Sequence, residues 1–239
     1  MFYKKDFYVH YSDVDSNNHL KLSSLFNILQ EIGCLHSDSA GYGLNQIPTT
    51  HLAWIVMAWR ASIDRLPSWN EKLHVITWSR GSDSLYAYRD YEIYDENENL
   101  IVKGSSKWVL FNVLTNHIEK IPVSIIDCFC TEKKCSFNTP FSKLKEPSNS
   151  ALTFSYSVLR RDIDTNGHVN NNNYLQIALE ALPEEFINRH FSSVEIMYKH
   201  GAMLGDTINC FYAENENGEQ IITMKSKDLS QLHAIVKLA

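Results

Sequence analysis

Apolar and polar residues alternate over Phe7, Val9 and Tyr11, then stop at the polar run Asp13–His19. From Leu20 the period changes. Leu22, Leu25, Phe26, Leu29, Ile32 and Gly33 recur on one face at helical spacing, which predicts a helix over 20–38. The same grammar returns later. Phe154, Tyr156 and Val158 alternate, Asp162–His168 is polar, and Tyr174, Leu175, Ala178, Leu179 and Leu182 line one face before Pro183, predicting a helix over 171–182.

Runs rich in Trp, Tyr, Val and Ile follow each helix and predict strands. After the first helix they cover 53–63, 72–79, 85–94 and 100–111; after the second, 193–199, 207–213, 219–226 and 233–238. Asn97-Glu98-Asn99 and Asn217-Gly218 mark hairpins. The stretch 123–150, with Pro140, Pro147 and many Ser, Asn and Lys residues, is expected to be a linker between domains 1–122 and 151–239.

The two polar runs are copies. Asp13-Val14-Asp15-Ser16-Asn17-Asn18-His19 and Asp162-Ile163-Asp164-Thr165-Asn166-Gly167-His168 lie 149 residues apart and share four of seven residues, with Val/Ile and Ser/Thr at two more. Flanking pairs match at the same offset: Phe7 with Tyr156, Val9 with Val158, Ile28 with Ile177, and Glu31 with Glu180. Two similar helix caps would not carry matching flanks, so the chain is read as a duplication. Each half is a strand, a long helix and an antiparallel run of strands. Such a helix is buried only if the sheet curls around it, which defines an α+β chain.

Composition narrows the function. The net charge of −6 argues against non-specific binding of nucleic acid. The longest apolar run, Leu52 to Trp59, is eight residues, far short of the roughly 20 that span a membrane, and no apolar leader follows Met1; a cytoplasmic location is expected. The five cysteines are an odd set, and Cys128-x-Cys130 with Cys135 lacks zinc-site spacing, so neither metal nor cofactor is expected. Phosphate loops, the Gly-x-Ser-x-Gly elbow and His-Glu-x-x-His are all missing.

The stretch from Arg161 through Asp162, Asp164, Asn166, His168, Asn170, Asn171 and Tyr174 to Glu180 closely resembles the acyl-ACP thioesterase family. So do Ile63–Glu71, Thr77-Trp78, Arg89-Asp90-Tyr91 and Trp108–Asn112 in the first half. The resemblance implies tandem hotdog folds and hydrolysis of fatty acyl thioesters on acyl carrier protein, in fatty acid biosynthesis. It makes Asp164, Asn166 and His168 the expected catalytic residues of the second half, with the first copy as scaffold. It departs from the family at one place: the Glu expected after the strand Val194–His200 falls on Gly201, and a neighbouring Cys of plant relatives on Ala202. His200 is a substitute candidate for that missing fourth residue.

Thioester hydrolysis needs an activated water, a polarised carbonyl and a held substrate. His168 suits a base or proton shuttle, Asp164 would orient it or the water, and Asn166 would hold the water or the carbonyl. The backbone N–H groups of Val169, Asn170 and Asn171, opening the helix, are expected oxyanion donors. Trp54 and Met57 are candidates for an acyl tunnel in the first half, with plain core packing the equal alternative. The expected partner is an acidic acyl carrier protein, with acyl-CoA as a second candidate, met by basic residues among Arg160, Arg161, Lys199, Lys103, Lys107, Lys133, Lys134, Lys143 and Lys145. The chain would act as a monomer or homodimer. Two other readings stay open: an enoyl-thioester hydratase, from the Asp-x-Asn-x-His pattern, and a non-catalytic acyl-thioester binder, from Gly201.

Overall fold

The computed structural model describes residues 1–239 and divides into two compact units, Met1–Pro140 and Phe141–Ala239. In the first, strands β1 (Tyr3–Tyr8), β2 (Leu52–Ile63), β3 (Lys72–Ser82), β4 (Ala87–Tyr94) and β5 (Leu100–Asn112) form an antiparallel sheet in the order β1-β3-β4-β5-β2. A short β6 (His117–Glu119) adds to β5. Helix α1 (Leu22–Ser39) lies on this sheet, and a short α2 (Ile47–Thr50) leads into β2.

The second unit repeats the plan. Strands β7 (Ala151–Ser157), β8 (Ser193–Tyr198), β9 (Thr207–Glu214), β10 (Gln220–Ser226) and β11 (Leu232–Leu238) run in the order β7-β9-β10-β11-β8, with helix α4 (Asn171–Glu180) after the first strand. Position for position this is the order of the first unit. Each unit is a hotdog.

The helix faces are those the spacing predicts. Leu25, Phe26, Leu29 and Ile32 of α1 are completely buried, and so are Leu175 and Ala178 of α4. Phe26 meets Trp59 of β2 edge to face, with centroids 5.7 Å apart. Small residues let α1 come close. A side chain on Gly33 would sit 3.1 Å from the Tyr91 hydroxyl, and one on Gly104 would sit 3.3 Å from Leu29. No helix is long and apolar enough to cross a membrane.

The expected linker is the main correction. Residues 123–128 form helix α3 (Val123–Cys128), and Ile125 and Phe129 bury against Leu110 and Ile121, with Trp54 packed on the cluster. The chain then straps across the first sheet. The Ser136 N–H donates to Asp90 (2.7 Å), the Trp78 indole to the Lys134 carbonyl (2.8 Å), and the Arg60 guanidinium to the carbonyls of Thr139 (2.7 Å) and Pro140 (3.1 Å). Thus residues 123–140 belong to the first unit. The strap explains why five consecutive residues of β4, Arg89 to Ile93, are all buried. The helix covers one face and the strap the other.

That double cover isolates a charge. Arg89 is buried, and donates to His36 Nδ1 at 2.6 Å and to Thr77 at 3.3 Å. Burial, with the guanidinium alongside, pushes His36 down to about 3. The folded unit therefore holds a neutral imidazole, while the unfolded chain takes up a proton near pH 6.5. Stability from this residue is present above 6.5 and lost as pH falls toward 3. Between pH 7 and 4.5 the loss is expected to be about 2–3 kcal/mol. Urea midpoints at the two pH values should differ less in His36→Gln than in the parent chain; equal differences would contradict this account.

Candidate active site

The loop between β7 and α4 carries the three predicted catalytic residues. A 3-10 turn, Arg160–Asp162, opens it, and Ile163 pairs with Val169 in a single antiparallel bridge. Between them the chain makes a tight turn. The Asp164 N–H donates to the His168 carbonyl (2.8 Å), and the Gly167 N–H to the Asp164 carbonyl (3.1 Å). Gly167 adopts φ +78°, a left-handed conformation that glycine takes without strain. Asp164 Oδ1 accepts the Asn166 N–H at 2.8 Å, so part of this carboxylate serves the turn. Asp164 is half-buried, while Asn166 and His168 are exposed. The loop thus gathers all three residues on one short turn.

The first unit has the same backbone. The Asp15 N–H donates to the His19 carbonyl (2.8 Å), the Asn18 N–H to the Asp15 carbonyl (3.1 Å), and the Asn17 N–H to Asp15 Oδ1 (2.9 Å). Asn18, at φ 66°, stands where Gly167 does. One carboxylate is more fully engaged here, because Asp15 Oδ1 also takes the His19 N–H at 3.0 Å.

Beneath the second loop lies a buried anchor that the sequence reading passed over. The Asp162 carboxylate accepts the Leu159 N–H (2.7 Å) and the Tyr156 hydroxyl (2.8 Å). Its carbonyl accepts the Asn170 N–H (2.8 Å) and the Asn173 amide (3.1 Å). Tyr198 donates to the Asn171 carbonyl at 3.1 Å. Tyr174, on the buried face of α4, accepts the Ala202 N–H at 2.8 Å, and burial pushes its phenol up to about 12. The hydrophobic spacing placed Tyr174 in the core, but a spacing carries no sign of what its hydroxyl meets.

These bonds revise the expected oxyanion donors. The Val169 N–H is taken by the Ala202 carbonyl (2.9 Å) and the Asn170 N–H by Asp162, so neither points outward for a ligand. Asn171 is the one of the three whose N–H has no acceptor within the chain. The Asn170 side chain caps α4 by accepting the Asn172 N–H at 3.0 Å.

The other expected residues separate. His200 is exposed at the end of β8, its carbonyl accepting from His233 Nδ1 at 2.8 Å. Gly201 follows it, against the His168 ring. Trp54 and Met57 lie in the first unit on β2. Trp54, half-buried, packs edge to face on Phe129 at 6.1 Å, and Met57 is the bulged residue where the register with β5 slips. Of the basic candidates, Arg160, Arg161 and Lys199 are exposed on the segments carrying the loop and the Gly201 strand end. In the first unit Lys103 and Lys133 are exposed, Lys107 lies over the Tyr86 ring at 3.5 Å, and Lys134 pairs with Glu92. Lys143 and Lys145 are exposed at the start of the second unit.

Two hotdogs in one chain, with an Asp-x-Asn-x-His loop ahead of the second helix, define the double-hotdog class. Residues 1–129 match the family model described as acyl-ACP thioesterase N-terminal domain, and residues 145–237 match the C-terminal domain. The chain belongs to the acyl-ACP thioesterase family. It is 27% identical to oleoyl-acyl carrier protein thioesterase 1, chloroplastic, of Arabidopsis thaliana, over 87% of this chain and 62% of the relative. It is 27% identical to oleoyl-acyl carrier protein thioesterase, chloroplastic, of Coriandrum sativum, over 92% of this chain and 65% of that one. The chain thus spans a little under two thirds of these plant relatives. In fold it is similar to the crystal structure of an acyl-ACP thioesterase from Bacteroides thetaiotaomicron, with TM-score 0.89 and 24% identity, covering 99% of this chain and 96% of the other. It is also similar to the 12:0-ACP thioesterase from Umbellularia californica, with TM-score 0.86 and 18% identity, covering 99% and 96%.

The cap is separately testable. Asn170→Ala removes the acceptor of the Asn172 N–H and is expected to cost about 1 kcal/mol. A urea midpoint equal to that of the parent chain would show that the cap contributes nothing.

Proposed function

We propose that this protein hydrolyses the thioester of fatty acyl-acyl carrier protein, releasing a free fatty acid for fatty acid biosynthesis. The observation that carries the reading is the turn itself, which presents Asp164, Asn166 and His168 together at the mouth of α4 in a chain of this family.

The chemistry follows from what each group can donate or accept. His168 is exposed on the turn and takes a proton from water as the oxygen attacks the thioester carbonyl. The resulting oxyanion is met by the Asn171 N–H at the helix N-terminus and by the Asn166 amide. Collapse expels the thiolate, and His168 returns the proton to sulfur. Asp164 holds the turn through the Asn166 N–H and lends negative charge beside the imidazolium as it forms. Water and thioester are consumed, and carboxylic acid and thiol are produced.

Acyl carrier protein is the proposed donor of the acyl group, with acyl-CoA as a second substrate. Exposed Arg160, Arg161 and Lys199 would meet an acidic carrier or the phosphates of coenzyme A. A cytoplasmic location is part of the same proposal, supported by five cysteines that all stay as thiols.

Thiol release from acyl-ACP and acyl-CoA, measured across chain lengths, is the test. His168→Ala and Asp164→Ala are each expected to lower kcat at least about 100-fold. Unchanged turnover in His168→Ala would sink the mechanism. Hydration of an enoyl thioester without thiol release would transfer the site to the hydratase reading, and binding without turnover to the acyl-binder reading.

A further inference from the structure

Gly201 occupies the position where the family resemblance leads one to expect a carboxylate. Its backbone is outside the left-handed region, so torsion does not require a glycine here. Space does. A Cβ built on Gly201 would lie 2.7 Å from His168 Cδ2, 3.0 Å from its Cγ and 3.2 Å from its Cβ. The imidazole therefore rests on the Gly201 backbone, in the volume that any side chain would fill.

Ala202, beside this seat, is held through both of its flanking peptide groups. The Ala202 N–H donates to the Tyr174 hydroxyl at 2.8 Å, and the Ala202 carbonyl accepts the Val169 N–H at 2.9 Å. Val169 is the residue next to His168, and Tyr174 is buried on α4. The two bonds on Ala202 thus fix the distance between the strand end and the histidine. The first unit has the corresponding bond, Leu20 N–H to the Pro67 carbonyl at 2.8 Å, which aligns Pro67 with Ala202 and therefore Leu66 with Gly201. There the side chain is large, so the seat is a feature of the second loop alone.

We propose that Gly201 is a positioning residue for His168, and that Tyr174 holds Gly201 in place through the Ala202 peptide. The glycine is then a working replacement for the missing carboxylate: the ring is placed by contact with backbone. This rests on His168 acting in the hydrolysis proposed above.

Three variants and one spectroscopic contact test it. Gly201→Ala forces the exposed ring off its seat; kcat is expected to fall about tenfold or more with KM changed less than about twofold. Gly201→Glu is expected to fall likewise, although it supplies the acid the family pattern calls for. Tyr174→Phe leaves the Ala202 N–H without its acceptor and is expected to lower kcat in the same sense. In NMR spectra of the parent chain, a nuclear Overhauser contact should join His168 Hδ2 to the Gly201 α-protons and weaken in Tyr174→Phe. Parent-like kcat in Gly201→Ala, a rise in Gly201→Glu, or absence of the contact in the parent chain each overturns the proposal. A parent chain that hydrolyses no acyl thioester overturns the functional reading instead, and the Overhauser contact then decides the seat alone.

Discussion

In each half the loop that follows the first strand is tied to the segment after a later strand by a corresponding backbone hydrogen bond. Leu20 N–H reaches the Pro67 carbonyl in the first unit, and Val169 N–H reaches the Ala202 carbonyl in the second, at 2.8 and 2.9 Å. Helix, loop and sheet converge at this bond. It sets where the helix begins and how far the polar turn stands from the strand end. It takes the Val169 N–H, and the Asp162 carbonyl takes that of Asn170, since a loop held this firmly uses its donors for holding. What remains for chemistry is side chains on the turn and free backbone donors such as the N–H of Asn171.

Much of this architecture was legible in the sequence because it depends on periodicity. The change from period two to helical period located both first strands and both helices, and the 149-residue offset exposed the duplication. Boundaries moved by up to four residues: the first strand begins at Tyr3 ahead of Phe7, the first helix starts at Leu22, and the strand expected at Leu85 starts at Ala87. Tyr11, expected at the end of the opening strand, instead lies in a 3-10 turn.

What the sequence concealed is tertiary. The stretch after Pro122 has the composition of a tether, and only the burial of Ile125 and Phe129 and the partners of Ser136, Thr139 and Pro140 show it to be part of the first unit. The trio proposed as catalytic was readable by resemblance. The occupation of Val169 and Asn170 was not, because their acceptors, Ala202 and Asp162, are set by the fold. In sequence Gly201 is a departure from the family pattern. Its meaning changes once the histidine ring is found resting against it.

The strap over the first sheet bears on how this chain can be cut and recombined. A chimera joined at the composition boundary near Pro122 would exchange the cover of one sheet for a foreign sequence, stranding Asp90, Arg60 and the Trp78 indole without the backbone groups that satisfy them. The seam of the duplication lies after Pro140, where the two compact units part. Halves exchanged between members of the family at that point would each keep their own cover, so the tolerance of the fold to recombination is set by the stretch 123–140, which looks, in sequence, like the most dispensable in the chain.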